Sequence, residues 1–96
     1  MRLSEEERHK IKQAFSEVFE HGRIYLFGSR VDDSQKGGDI DLYLDLEKNF
    51  EDVRYRKNSF LIKLDDYLGE QKIDVIISRD KTRLIEQEAI KWGVEL

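Results

Sequence analysis

A chain of 96 residues, 39% hydrophobic and 40% charged, suits a single domain over residues 1–96 with a modest core and a heavily charged surface. The absence of cysteine excludes disulfides, thiolate metal sites and cysteine nucleophiles, and a formal net charge of -4 argues against broad, charge-driven binding to DNA or RNA. No apolar run approaches the ~20 residues needed to cross a bilayer, and nothing near Met1 resembles a signal peptide, so the cytoplasm is the expected location.

In chain order, Ser4-Glu5-Glu6-Glu7 reads as a capping box that opens a helix. Ile11, Ala14, Phe15, Val18 and Phe19 then recur on one helical face, and Gly22 is the expected stop. Arg23 to Phe27 is short, β-branched and aromatic, as a strand should be. Residues 28 to 38 carry Gly, Ser and Asp and predict a turn followed by a loop. From Asp39 to Leu46 the alternation is clean: Ile40, Leu42, Leu44 and Leu46 face one way, and Asp39, Asp41, Tyr43 and Asp45 the other. Asn49 is the expected cap of a second helix through Leu68, with Val53, Phe60, Leu61, Leu64 and Leu68 inward and Gly69 as its C-cap. Lys72 to Ile77 predicts a third strand, with Ile73, Val75 and Ile77 opposite Asp74 and Ile76. A last helix from about Lys81 to Trp92 uses Leu84, Ile85, Ala89 and Trp92, and stops at Gly93. The order is α-β-β-α-β-α. It predicts an α+β fold, a small three- to four-stranded mixed sheet with helices packed on one face and the aspartate face left open.

The chemistry concentrates in three aspartates. Asp39 and Asp41 are two apart on a strand, so both emerge on one face roughly 6–7 Å apart. Two carboxylates at that spacing reach a common cation, and Mg²⁺ takes such oxygen ligands together with waters and phosphates. Asp74 from a neighbouring strand completes a two-ion arrangement, in which one ion holds a triphosphate and the other activates a hydroxyl. Gly28 allows close backbone approach just after a strand. Ser29 offers a hydroxyl and an N–H to phosphate, strengthened if a short helical turn starts there. Arg30 adds a charge-assisted contact, and Lys36 is a weaker candidate. Asp45, about 13 Å from Asp39 along the strand, reads as solvated. Tyr43, beside the carboxylates, reads either as a platform for a base or as a side chain half-covering an open sheet. Arg54, Arg56 and Lys57 read as a solvated basic face.

Gly28-Ser29, nine residues, Asp39-Ile40-Asp41 and a strand-borne Asp74 together resemble the DNA polymerase beta-like nucleotidyltransferase superfamily. The small size and the closing stretch Glu86 to Leu96 are similar to the minimal nucleotidyltransferases, the MntA-like antitoxins of the HEPN/MNT pair. The resemblance implies that Gly28, Ser29 and Arg30 hold the nucleotide phosphates. It also implies that Asp39, Asp41 and Asp74 bind Mg²⁺, with Asp74 activating the acceptor. ATP is then the substrate, AMP the group transferred, and a tyrosine of a HEPN-domain toxin the acceptor. The acidic run Val31-Asp32-Asp33 departs from the family pattern. Two alternatives stay open: a catalytically weak or inactive relative that neutralises its partner by contact, and a transferase with a small-molecule or RNA acceptor. The chain is too short to enclose both nucleotide and acceptor, so a partner is expected to supply the second wall.

Overall fold

The computed structural model describes residues 3–31 and 38–96, apart from the Ser29 side chain. The elements are α1 (Glu5–Phe19), β1 (Gly22–Phe27), a 3₁₀ turn (Gly28–Arg30), β2 (Ile40–Leu46), α2 (Val53–Leu68), β3 (Ile73–Ile77), α3 (Leu84–Trp92) and β4 (Val94–Glu95). The strands form one mixed sheet in the order β3-β2-β1-β4. β1 is antiparallel to β2 and to β4, whereas β3 runs parallel to β2 after the α2 crossover. The expected α+β order is therefore present, with a two-residue fourth strand added at its end.

The capping box forms as expected: the Glu7 N–H donates to Ser4 Oγ and the Ser4 N–H to Glu7 Oε1, both at 3.0 Å. All five inward residues of α1 are buried, and they meet Ile24, Leu26, Leu42, Leu44, Phe60 and Leu64 in the main core between the sheet, α1 and α2. The helix stops earlier than Gly22. Glu20 takes the left-handed turn at φ 67°, and Gly22 already pairs with Leu46 in the sheet. No basic residue of α1 lies in its last turn; instead Arg56 of α2 donates to the Val18 carbonyl at 2.6 Å.

α2 begins at Val53, later than the expected Asn49. Phe50 is drawn onto Phe19, with ring centroids 5.9 Å apart, and the Arg56 guanidinium lies over it at 4.2 Å. The chain therefore turns to cover the core before the helix can start.

The expectation of helices on one face holds for α1 and α2 but not for α3, which packs on the opposite face. Tyr25 and Tyr43 are registered across β1 and β2, and with Ala89 they make a second small core. The aspartate face is thus open only at one end. The anticipated apolar stripe of α3 packs only in part: Ala89 is buried and Ile85 lines the site cavity, but Leu84 and Trp92 are 69% and 68% exposed, and Glu86 takes the buried place beside Ala89. The reason is local chemistry. A buried Tyr43 hydroxyl needs an acceptor, and rotating Glu86 inward to supply one turns the large apolar residues out.

Candidate active site

β2 sits between β1 and β3, and its register fixes the site. Asp41 is opposite Phe27 on one side and Asp74 on the other, so the two carboxylates stand on neighbouring strands about 4.8 Å apart in the pairing direction. Gly28 follows Phe27 with φ +79°, and a Cβ there would collide with Asp41 Oδ2. Only glycine gives both the left-handed turn and the room for that carboxylate. Asp39 lies just ahead of β2 and pairs with Lys72 at 3.4 Å. Asp41 and Asp74 open into a cavity of about 420 Å³ lined also by Phe27, Lys57, Ile76 and Ile85, among others.

The electrostatics are those of crowded negative charge. Burial raises the Asp41 pKa most, followed by the charges of Asp74 and Asp39 and a hydrogen bond shared with Asp74, while Lys72 opposes them. Asp74 itself is exposed. The oxygen-only donor set and the side-chain-free cradle at Gly28 fit a hard divalent cation beside a phosphate. Among the described residues, no three His, Asp or Glu side chains converge as a ready-made cluster. Asp41 and Asp74 come together, and Asp39 is turned to Lys72.

Of the expected phosphate ligands, Gly28 and Ser29 open the 3₁₀ turn at the end of β1. Arg30 closes that turn, and its Nη2 donates to the Gly38 carbonyl at 2.9 Å, which ties the start of the connection to its end. Lys36, Asp32 and Asp33 lie outside the described residues. Tyr43 is neither a base platform nor half-open. It is fully buried and donates to Glu86 Oε1 at 2.7 Å, and burial, then that bond, keep the phenol protonated far above its ordinary value. Asp45 is not solvated, because its largely buried carboxylate accepts from Lys81 at 3.2 Å.

Several groups around the site escape sequence reading. Lys72 and Lys57 look like ordinary surface lysines, and only the parallel register places them beside Asp39 and in the Asp74 cavity. Glu86 is one of two glutamates in a helix and carries no motif. It accepts from Tyr43, from the N–H groups of Arg79 and Asp80, and from Arg83. Burial is the largest single influence and raises its pKa, but those donors together outweigh it and hold the carboxylate below the usual range.

Comparison with known proteins bears on this geometry. Residues 9–96 match the family described as Polymerase beta, Nucleotidyltransferase. No curated protein matches the chain. The family match spans nearly the whole sequence and contains every element that carries the site, from β1 to β4. The chain belongs to the polymerase beta nucleotidyltransferase family, whose chemistry is nucleotidyl transfer.

Proposed function

We propose that the chain is a Mg²⁺-dependent nucleotidyltransferase that moves AMP from ATP to a hydroxyl on a partner protein. The supporting observation is the register that sets Asp41 between Gly28 and Asp74. Asp39, Asp41 and Asp74 are the residues that would hold Mg²⁺. The ion supplies charge neutralisation at the triphosphate and a lowered pKa at the acceptor hydroxyl. Gly28 and Ser29 present backbone to the phosphates, and Arg30 steadies the turn that carries them. Asp74, exposed at the cavity mouth, takes the acceptor proton. The acceptor oxygen bonds to the α-phosphorus as the bond to the bridging oxygen breaks, and pyrophosphate leaves.

A protein acceptor fits a site that, among the described residues, is open on one side, with Asp74 at the surface. A tyrosine of a helical HEPN-type toxin, silenced by the modification, is the acceptor in this reading, and the chain is then its antitoxin. A contact-only antitoxin has one observation in its favour, the pairing of Asp39 with Lys72 in place of a three-carboxylate cluster. Incubating chain, partner, ATP and Mg²⁺ and weighing the intact partner separates the two. Transfer predicts a gain of AMP less water, reduced at least about a hundredfold in rate by Asp41→Asn. A stable complex with no mass gain sinks the transfer reading.

A further inference from the structure

The cavity that holds Asp41 and Asp74 meets a second one, of about 450 Å³, and the two share Lys57, Val75 and Ile76. Between them they are walled by every residue from Ile73 to Arg79. Successive side chains of a strand point to opposite faces, so consecutive residues can line one groove only along the edge of the strand. β3 is the end strand of the sheet. The Lys72 carbonyl accepts from Ile40 N–H at 3.0 Å and the Ser78 N–H donates to the Leu44 carbonyl at 2.8 Å, so the even-numbered residues turn toward β2. With a period of two, the N–H and C=O groups of Ile73, Val75 and Ile77 point outward into the groove. Among the described residues these groups have no hydrogen-bond partner, and such an edge is a template for a further strand.

The charge of the groove narrows the occupant. Lys48, Arg54, Lys57, Arg79 and Arg83 line the second cavity, and among the described residues no Asp or Glu does, in a chain whose net charge is -4. Arg83 pairs with Glu86 at 3.2 Å and Lys48 lies over the Phe50 ring at 4.9 Å. The side chains of Arg54, Lys57 and Arg79 make no ion pair among the described residues. Phe50, Val53 and Ile77 add apolar wall between these cations.

We infer that this edge docks an extended, acidic polypeptide segment, which joins the sheet beside β3 and lays its carboxylates over the cationic cavity. The inference rests on the transfer reading in one respect: the segment belongs to the acceptor protein, and its hydroxyl residue lies at the Asp74 end, about 13 Å along the strand from Ser78. A nucleic acid would meet the same cations, but it has no use for the outward backbone groups, and the net charge of the chain repels it.

The test uses the full chain without nucleotide, read by fluorescence anisotropy. The probe is a labelled peptide that alternates glutamate with valine and carries one tyrosine. Controls are its lysine-for-glutamate counterpart, a labelled oligouridylate, and the acidic peptide N-methylated on either alternate set of backbone nitrogens. Arg54 and Arg79 are exposed, so Arg54→Glu and Arg79→Glu should fold, as circular dichroism will verify. The acidic peptide should bind, each reversal should weaken it about tenfold or more, the lysine peptide should fail, and one N-methyl set should weaken binding. No binding, indifference to both reversals, indifference to both N-methyl sets, or tighter binding of oligouridylate would overturn the inference. Because ATP is absent, a groove that behaves as expected beside a partner that never gains AMP would sink the transfer reading alone. AMP transfer by a chain whose groove ignores the peptide would sink the groove alone.

Discussion

Asp41 is under load from its neighbours, and its substitution reports on that load. Its pKa in the folded chain lies above the ordinary carboxylate value, so the fold favours the protonated form. The stability linked to this group is complete below the unfolded pKa and is lost as pH rises through the raised folded one. At neutral pH the ionised carboxylate therefore destabilises the fold. Asp41→Asn should melt higher than the parent protein without added metal, and Mg²⁺ with ATP should raise the melting temperature of the parent only. Equal melting temperatures across pH 5 to 8 would contradict this. Gly28 is the complementary case. Gly28→Ala adds strain at φ +79° and a collision with Asp41 Oδ2, and should cost about 1–3 kcal/mol by denaturant unfolding. Combined with Asp41→Ala the penalty should shrink, because the collision partner is gone and only the backbone strain remains. The placing of Gly28, Asp41 and Asp74 side by side was legible in the sequence because strand periodicity and a glycine after a strand are local signals. Lys72 was not, because its role depends on register between strands joined through α2.

At the scale of elements, α3 is held by polar chemistry more than by apolar burial. Its buried carboxylate gathers Tyr43, Arg83 and two backbone N–H groups, while Leu84 and Trp92 face solvent. The net lowering of the Glu86 pKa means that its stabilisation is present above the unfolded carboxylate pKa and is lost as pH falls through the folded value. Acid should therefore release α3, read as a loss of tyrosine near-ultraviolet dichroism, from below the ordinary value of 4.5. Glu86→Ala should cost about 3–5 kcal/mol, because it leaves donors buried without an acceptor, and should abolish that acid transition. An unchanged transition in the variant would refute the assignment. Apolar periodicity placed α1, β1 to β3 and the α2 core correctly, since those elements bury what they alternate. It misjudged α3, where one buried hydroxyl decides the rotation of the helix and no hydrophobic pattern encodes that need.

For the molecule as a whole, the mixed topology sorts charge that composition averages away. The parallel crossover from β2 through α2 to β3 brings Lys48, Arg54 and Lys57 against Arg79 and Arg83, residues up to thirty-five positions apart in the sequence. The sequence suggested a solvated basic patch at residues 54 to 57; the fold makes part of it one wall of a cavity. β4 is the other product of long-range closure. Leu96 is buried in the main core and its N–H donates to the Ile24 carbonyl at 2.9 Å. Bringing these positions together closes most of the chain into a loop, an entropic cost that no local contact offsets early in folding. The docking of β4 should therefore come after the rate-limiting step. Leu96→Ala should cost about 2–4 kcal/mol, and in stopped-flow chevrons nearly all of it should appear as faster unfolding, with the refolding arm unmoved. The lifetime of the folded state, more than the speed of reaching it, would then hang on a single leucine at the far edge of the sheet from Asp74.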